Sequence, residues 1–146
     1  MPTTLRAEST QHFETPPETV FDVIDTPDRY FEMSPSLKEN RGVEPKPGGG
    51  HDVGYVFEMN GQSLTGTVRV QEHERPRHLI WRMEGDLTGR IEWDLNPTDD
   101  GCDVTYRVEY QPPDAVLNNA DREQIVAYNQ DEVEQTLDNL RARVER

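Results

Sequence analysis

The residues best equipped to meet a ligand are aromatic side chains with polar tips. Tyr55, Phe57, Trp81, Met83, Trp93, Tyr106 and Tyr110 fall on the apolar phase of alternating stretches, so a sheet turns them to one side. Val126, Asn129 and Val133 lie in a later stretch of helical periodicity that would face them. Such a set either fills a core, its commoner use, or lines a cavity in which Tyr55, Tyr106 and Asn129 orient an oxygen-bearing apolar molecule. These ten are the candidate ligand-binding residues. No nucleophile with a neighbouring base accompanies them, so none is assigned as catalytic.

The remaining reactive groups have plainer readings. His12, His51, His73 and His78 lack the i, i+4 or alternate-strand spacing of metal ligands, and His12, His73 and His78 lie on the polar phase, as solvated histidines do. Asp99-Asp100-Gly101, with Asp103, lacks the spaced oxygens and closing glutamate of a calcium loop and reads as a hairpin turn. Gly48-Gly49-Gly50 is not followed by the Lys-Ser/Thr of a phosphate loop and reads as a mobile loop beside a cavity mouth. Cys102 has no basic neighbour and reads as a structural thiol. No metal and no cofactor are expected. Arg69, Arg82, Arg90, Glu92, Arg107 and Glu109 share the outward phase and should form cross-strand ion pairs, each worth about 0.2–1 kcal/mol.

The elements that position these groups follow from periodicity and punctuation. Residues 4–13 read as a first strand. Thr15-Pro16-Pro17-Glu18 reads as a capping box opening a helix that buries Val20, Phe21, Val23 and Ile24. Thr26-Pro27 opens a second short helix through Tyr30 and Phe31, ended by Ser34-Pro35. Six strands follow between Leu37 and Tyr110, with Asn60-Gly61 as a two-residue hairpin signal. Beyond Pro112-Pro113 a helix is expected from Asn118 or Asn119, with Val126, Val133, Leu137, Leu140 and Val144 as its apolar stripe and an Asp138–Arg141 pair on its wet side.

With 146 residues the chain reads as one domain, residues 1–146, able to bury a core. It carries 29 acidic against 15 basic residues, a net charge of −14, and its only lysines are Lys38 and Lys46. That balance argues against a nucleic-acid partner and resembles proteins adapted to high salt, where counterions screen self-repulsion. One cysteine excludes an internal disulfide. No stretch resembles a signal peptide or a membrane span, so a cytoplasmic protein without stable membrane insertion is expected, monomeric or weakly dimeric.

Four stretches carry a resemblance. Thr15-Pro16-Pro17-Glu18-Thr19-Val20-Phe21 and Asp25-Thr26-Pro27-Asp28-Arg29-Tyr30 are similar to the two short-helix starts of the START-like polyketide cyclase/dehydrase (SRPBCC) superfamily. Glu74-Arg75-Pro76-Arg77-His78-Leu79-Ile80-Trp81 resembles that superfamily's proline-basic-x-leucine-x-tryptophan run into a central strand, and Gly101-Cys102-Asp103-Val104-Thr105-Tyr106 its late strand. The resemblance implies an α+β helix-grip fold: a curved antiparallel sheet of about seven strands around a long C-terminal helix, with a hydrophobic cavity between. It transfers a container rather than a reaction. The expected partner is a small hydrophobic molecule, bound for transport or sequestration. A cyclase or dehydratase, or a protein-interaction module, is the alternative. An inward-facing acid or histidine beside the cavity tyrosines would favour the enzyme.

Overall fold

Prolines at the first two helix starts and a change of hydrophobic period after Gln111 divide the chain into its elements. The computed structural model describes residues 4–59, 61–119 and 121–145. β1 (Leu5–Phe13) leads into α1 (Pro17–Ile24) and α2 (Pro27–Met33). Six strands follow: β2 (Leu37–Pro45), β3 (His51–Met59), β4 (Gln62–Glu74), β5 (His78–Gly85), β6 (Thr88–Thr98) and β7 (Gly101–Gln111). The chain then forms α3 (Asp114–Asn119) and α4 (Arg122–Val144). The strands make one antiparallel sheet in the order β1-β7-β6-β5-β4-β3-β2, the helix-grip arrangement. Short links turn each strand of the meander back on its neighbour, and β1 pairs with β7 from Leu5↔Tyr110 to Phe13↔Cys102.

Edge protection fixes where α4 lies. β1 is an edge strand, and its free backbone groups would otherwise invite another chain. Gln130 of α4 covers them at Glu8, accepting from its N–H at 3.3 Å and donating to its carbonyl at 2.9 Å. Farther along, Glu145 accepts the Glu14 N–H at 2.8 Å. Along α4, Ile125, Asn129, Val133, Thr136, Leu137 and Leu140 are buried.

This burial corrects the expected stripe by one residue at its start. Ile125, four before Asn129, takes the core position, and Val126 is only half-buried. Asp138 does not pair with Arg141 but accepts Gln11 Nε2 at 2.8 Å.

The helix starts also differ from expectation, for backbone reasons. Pro16, not Thr15, is the N-cap of α1, with no side-chain cap bond. A residue before proline is pushed out of the helical region, and Pro16 accordingly sits at φ −58°, ψ 145° ahead of Pro17. Thr15 Oγ1 instead donates to the Val144 carbonyl at 3.4 Å. Thr26 does cap α2, but its hydroxyl reaches back to the Asp22 carbonyl at 2.7 Å. Asn118 and Asn119 end α3 rather than start α4. α4 is capped by Asp121, whose N–H is accepted by the Gln124 side chain at 3.2 Å. Of the Asn60-Gly61 turn, Asn60 lies outside the described residues. Met59 pairs with Gln62, and Gly61 has the positive φ, +79°, that such a turn requires.

On the outer face Arg69 and Arg107 form the expected cross-strand ion pairs, while Arg82 and Arg90 pair within their own strands, with Glu84 at 2.7 Å and Glu92 at 3.4 Å. Arg69 meets Glu84 at 2.5 Å and Arg107 meets Glu92 at 3.2 Å and Asp94 at 2.7 Å.

Candidate functional site

α2 and α4 do not fill the concave side of the sheet. Between them and strands β3 to β7 lies a partly enclosed cavity of about 100 Å³. One water needs roughly 10–15 Å³, so this space takes several waters or one compact apolar molecule. Its wall is chiefly apolar and aromatic. Tyr55, Phe57, Trp81, Met83, Tyr106, Tyr110, Asn129 and Val133 all line it. They arrive there because every second residue of β3, β5 and β7 turns to this face and α4 adds residues four apart.

Trp93 and Val126, also expected at the site, are not in its wall. Trp93 lies a layer behind, fully buried, its ring stacked on Tyr106 at 4.0 Å and 6°. Tyr30 from α2, itself in the wall, meets it edge-on at 6.1 Å. Val126 is displaced because Ile125 takes the inward position.

Sequence reasoning missed what the short helices and the helix acids bring. Ile24, Asp25, Pro27, Tyr30, Phe31 and Ser34 line the cavity from α1, α2 and the turn after each. Tyr30 had no strand phase to reveal it, only the cap-and-proline start that places its helix. His51, Glu132 and Asp25 add titratable groups to the wall. Glu132 is held by hydroxyl donation from Ser34 at 2.5 Å and Ser36 at 2.9 Å, and by the Ser36 N–H at 3.3 Å. Ser36 in turn bonds the Tyr128 hydroxyl at 2.5 Å.

The cavity tyrosines differ in what their hydroxyls can do. Tyr30 and Tyr106 bond each other at 2.9 Å, and Tyr110 accepts from Asn129 Nδ2. Tyr55 is 4% exposed and its hydroxyl has no partner among the described residues. Burial drives all four phenols upward. Tyr55 is pushed up to about 12, with the Asp86 charge adding to burial. Tyr106 rises farther, though the Tyr30 bond opposes this and the Glu132 charge assists. All four therefore stay protonated at neutral pH, as hydrogen-bond groups rather than phenolates.

Two histidines read as solvated are instead engaged. His73 Nε2 lies 2.9 Å from Asp25 Oδ2 and its ring meets Phe21 edge-on at 5.2 Å. His78 pairs in register with Asp94 and places Nδ1 2.5 Å from Asp94 Oδ1 and Nε2 3.1 Å from Glu72 Oε2. His78, Glu92 and Asp94 bring ligand atoms within 4.8 Å of one another, a grouping that could hold a cation. Arg107 already occupies Glu92 and Asp94, and both His78 nitrogens face carboxylates, the arrangement of an imidazolium in an ion-pair network. Burial opposes that charge, but Asp94, Glu92 and Glu72 outweigh it and raise His78 above its ordinary value. Cys102 is buried, donates to the Thr15 carbonyl at 3.5 Å and is pushed up to about 11 by burial, an inert thiol. The glycine loop is closed by Lys46 N–H to Gly50 and Gly49 N–H to Lys46, both at 3.0 Å, and delivers His51 to the cavity wall. Among the described residues no helix is long and apolar enough to cross a membrane.

The geometry has counterparts of known structure. A protein from Thermus thermophilus superposes with a TM-score of 0.80 over 98% of this chain and 97% of its own, at 19% identity. The Zhui aromatase/cyclase from a Streptomyces species gives 0.79 over 99% and 95%, at 17% identity. A START superfamily protein from Mycobacterium smegmatis gives 0.74 over 96% and 97%, at 15% identity. No curated protein matches the chain in sequence. These identities establish a shared fold alone. Family membership comes from the sequence itself, because the profile described as polyketide cyclase/dehydrase and lipid transport matches residues 4–145, nearly the whole chain. The chain belongs to that family, within the START/SRPBCC superfamily.

Proposed function

We propose that this protein binds a compact hydrophobic molecule in the cavity between its sheet and α4, for transport or sequestration. The observation that carries this reading is the cavity itself, apolar, partly enclosed and roofed by α2 and α4. Its volume favours a molecule of about one ring over one of sterol size. The chain would act in the cytoplasm as a monomer or weak homodimer, without a cofactor. Apolar one-ring compounds should raise its melting temperature by mass action, the gain in stability being about 2.7 kcal/mol at a free concentration a hundred times Kd. Val133→Trp fills the space from the α4 side and should remove that response while leaving a folded chain. A melting temperature indifferent to every apolar probe in the unmodified protein would sink the proposal.

A second reading is a cyclase or dehydratase. What favours it is Glu132, an acid in the same wall whose charge is felt by Tyr30 and Tyr106. An acid so placed could move a proton next to a carbonyl held by phenols. Glu132→Gln keeps acceptor capacity but removes the base. It should abolish turnover of a poly-β-ketone substrate while retaining its binding, and absence of turnover in the unmodified protein would dismiss the enzyme. The interaction module has the least support, because Val43 is the only exposed large hydrophobic among the described residues.

A further inference from the structure

We infer that the Tyr55 hydroxyl, the one cavity phenol that makes no hydrogen bond among the described residues, is a recognition group, and that the ligand is a compact, ring-sized hydrophobic molecule presenting an acceptor oxygen such as a carbonyl. The inference rests on the binding reading above and narrows it. The other wall phenols, Asn129, Glu132 and Asp25 are each engaged in at least one hydrogen bond. Tyr30 and Tyr106 share one hydrogen bond, and Asn129 donates both to Tyr110 and to the Ile125 carbonyl at 2.8 Å. Tyr110 has a further contact to Met59 Sδ at 3.9 Å. Glu132 is held by two serines, and Asp25 by His73.

Tyr55 alone among the cavity phenols lies buried with an orphan hydroxyl. Buried hydroxyls are nearly always bonded, and an unbonded one in a cavity wall calls for an explanation. The local sequence maintains this arrangement. Tyr55 pairs with Gly66 of β4, and its ring lies over the bare glycine. A Cβ at Gly66 would come within 2.9 Å of the Tyr55 oxygen and 2.5 Å of the Glu84 carbonyl. The phenol is therefore seated where a larger neighbour would have expelled it. Because it stays protonated at neutral pH, it can donate to an oxygen that has no proton of its own.

The test compares two probes of nearly equal shape, ethylbenzene and acetophenone, which differ by a methylene against a carbonyl. Calorimetric titration gives the ratio of their affinities in the unmodified chain and in Tyr55→Phe. Comparing ratios cancels the different hydration of the two probes. A net hydrogen bond of ordinary strength predicts that the acetophenone-to-ethylbenzene ratio falls about fivefold in Tyr55→Phe. An unchanged ratio, with both probes bound, would overturn the assignment of Tyr55 while leaving cavity binding intact. Failure of both probes to bind the unmodified chain would overturn the binding reading and this inference with it. The infrared carbonyl stretch of bound acetophenone needs only the unmodified chain. It should lie below its frequency in alkane, and a stretch at the alkane frequency would overturn the inference even if Tyr55→Phe did not fold.

Discussion

Trp93 stacks on Tyr106 with ring centroids 4.0 Å apart and planes 6° from parallel, while Trp81, on the neighbouring strand β5, is met edge-on by Tyr30 at 5.0 Å and faces the cavity. The two tryptophans of the chain therefore have different surroundings. One is sealed behind a tyrosine and the other forms part of the wall.

This asymmetry predicts which fluorophore reports on a ligand. Trp81→Phe should eliminate the change in emission when an apolar probe binds, whereas Trp93→Phe should preserve it. A response that disappears only with Trp93 would mean that the probe enters elsewhere.

Strand phase made much of the site legible in advance. Tyr55, Trp81, Met83 and Tyr106 reach the wall because alternation alone decides which face a strand residue takes. Phase does not give depth, so Trp93, on the correct face, ended a layer behind the wall. Nor does it place one element over another. Tyr30 and Phe31 lie on a seven-residue helix whose position is set by tertiary packing and by the ties of Ser34 and Ser36 to Glu132. Glu132 looked like one carboxylate among many in an acidic chain. In α4 the error was one residue, Val126 for Ile125, because a stripe running through Asn129 has a polar residue in its middle. The His73–Asp25 and His78–Asp94 pairs join positions far apart in sequence, 48 and 16 residues, and only the fold brings them together.

Packing of α4 gives a stability test with an internal control. Leu137 is fully buried, so Leu137→Ala should cost about 2–5 kcal/mol in denaturant unfolding. Asp138 is exposed and bonded to Gln11 on the adjoining strand edge, so Asp138→Ala should stay within about 0.5 kcal/mol. Equal losses would contradict the helix phase.

His78 should make stability depend on pH in a definite direction. Its folded-state pKa is raised, so its contribution is fully present below the unfolded value of about 6.5 and is lost as pH rises through the folded value. The melting temperature of the unmodified chain should exceed that of His78→Gln most at pH 5–6, and the gap should shrink toward pH 8–9. His12, also raised by Asp103 and Asp100, is common to both proteins and drops out of the difference. A gap that widened with pH would show that His78 is neutral in the folded protein.

Net charge supplies the last prediction. The sheet's outer face is rich in local pairs, among them Arg69–Glu84, Arg107–Asp94 and Arg107–Glu8 at 3.0 Å, which salt weakens. Against them stands the repulsion of a chain carrying −14, which acts over longer distances and opposes the compact state at low ionic strength. At 0.1 M salt the screening length is about 10 Å, and near 1 M it falls to about 3 Å. Longer-range repulsion is then screened out while contact pairs at 2.5–3.0 Å keep part of their attraction. The melting temperature should therefore rise from dilute buffer to molar potassium chloride. Sodium and potassium salts should act alike if screening is the cause. A flat or falling melting temperature would mean that the local pairs outweigh the repulsion, and that the acidic surface is not an adaptation to high salt.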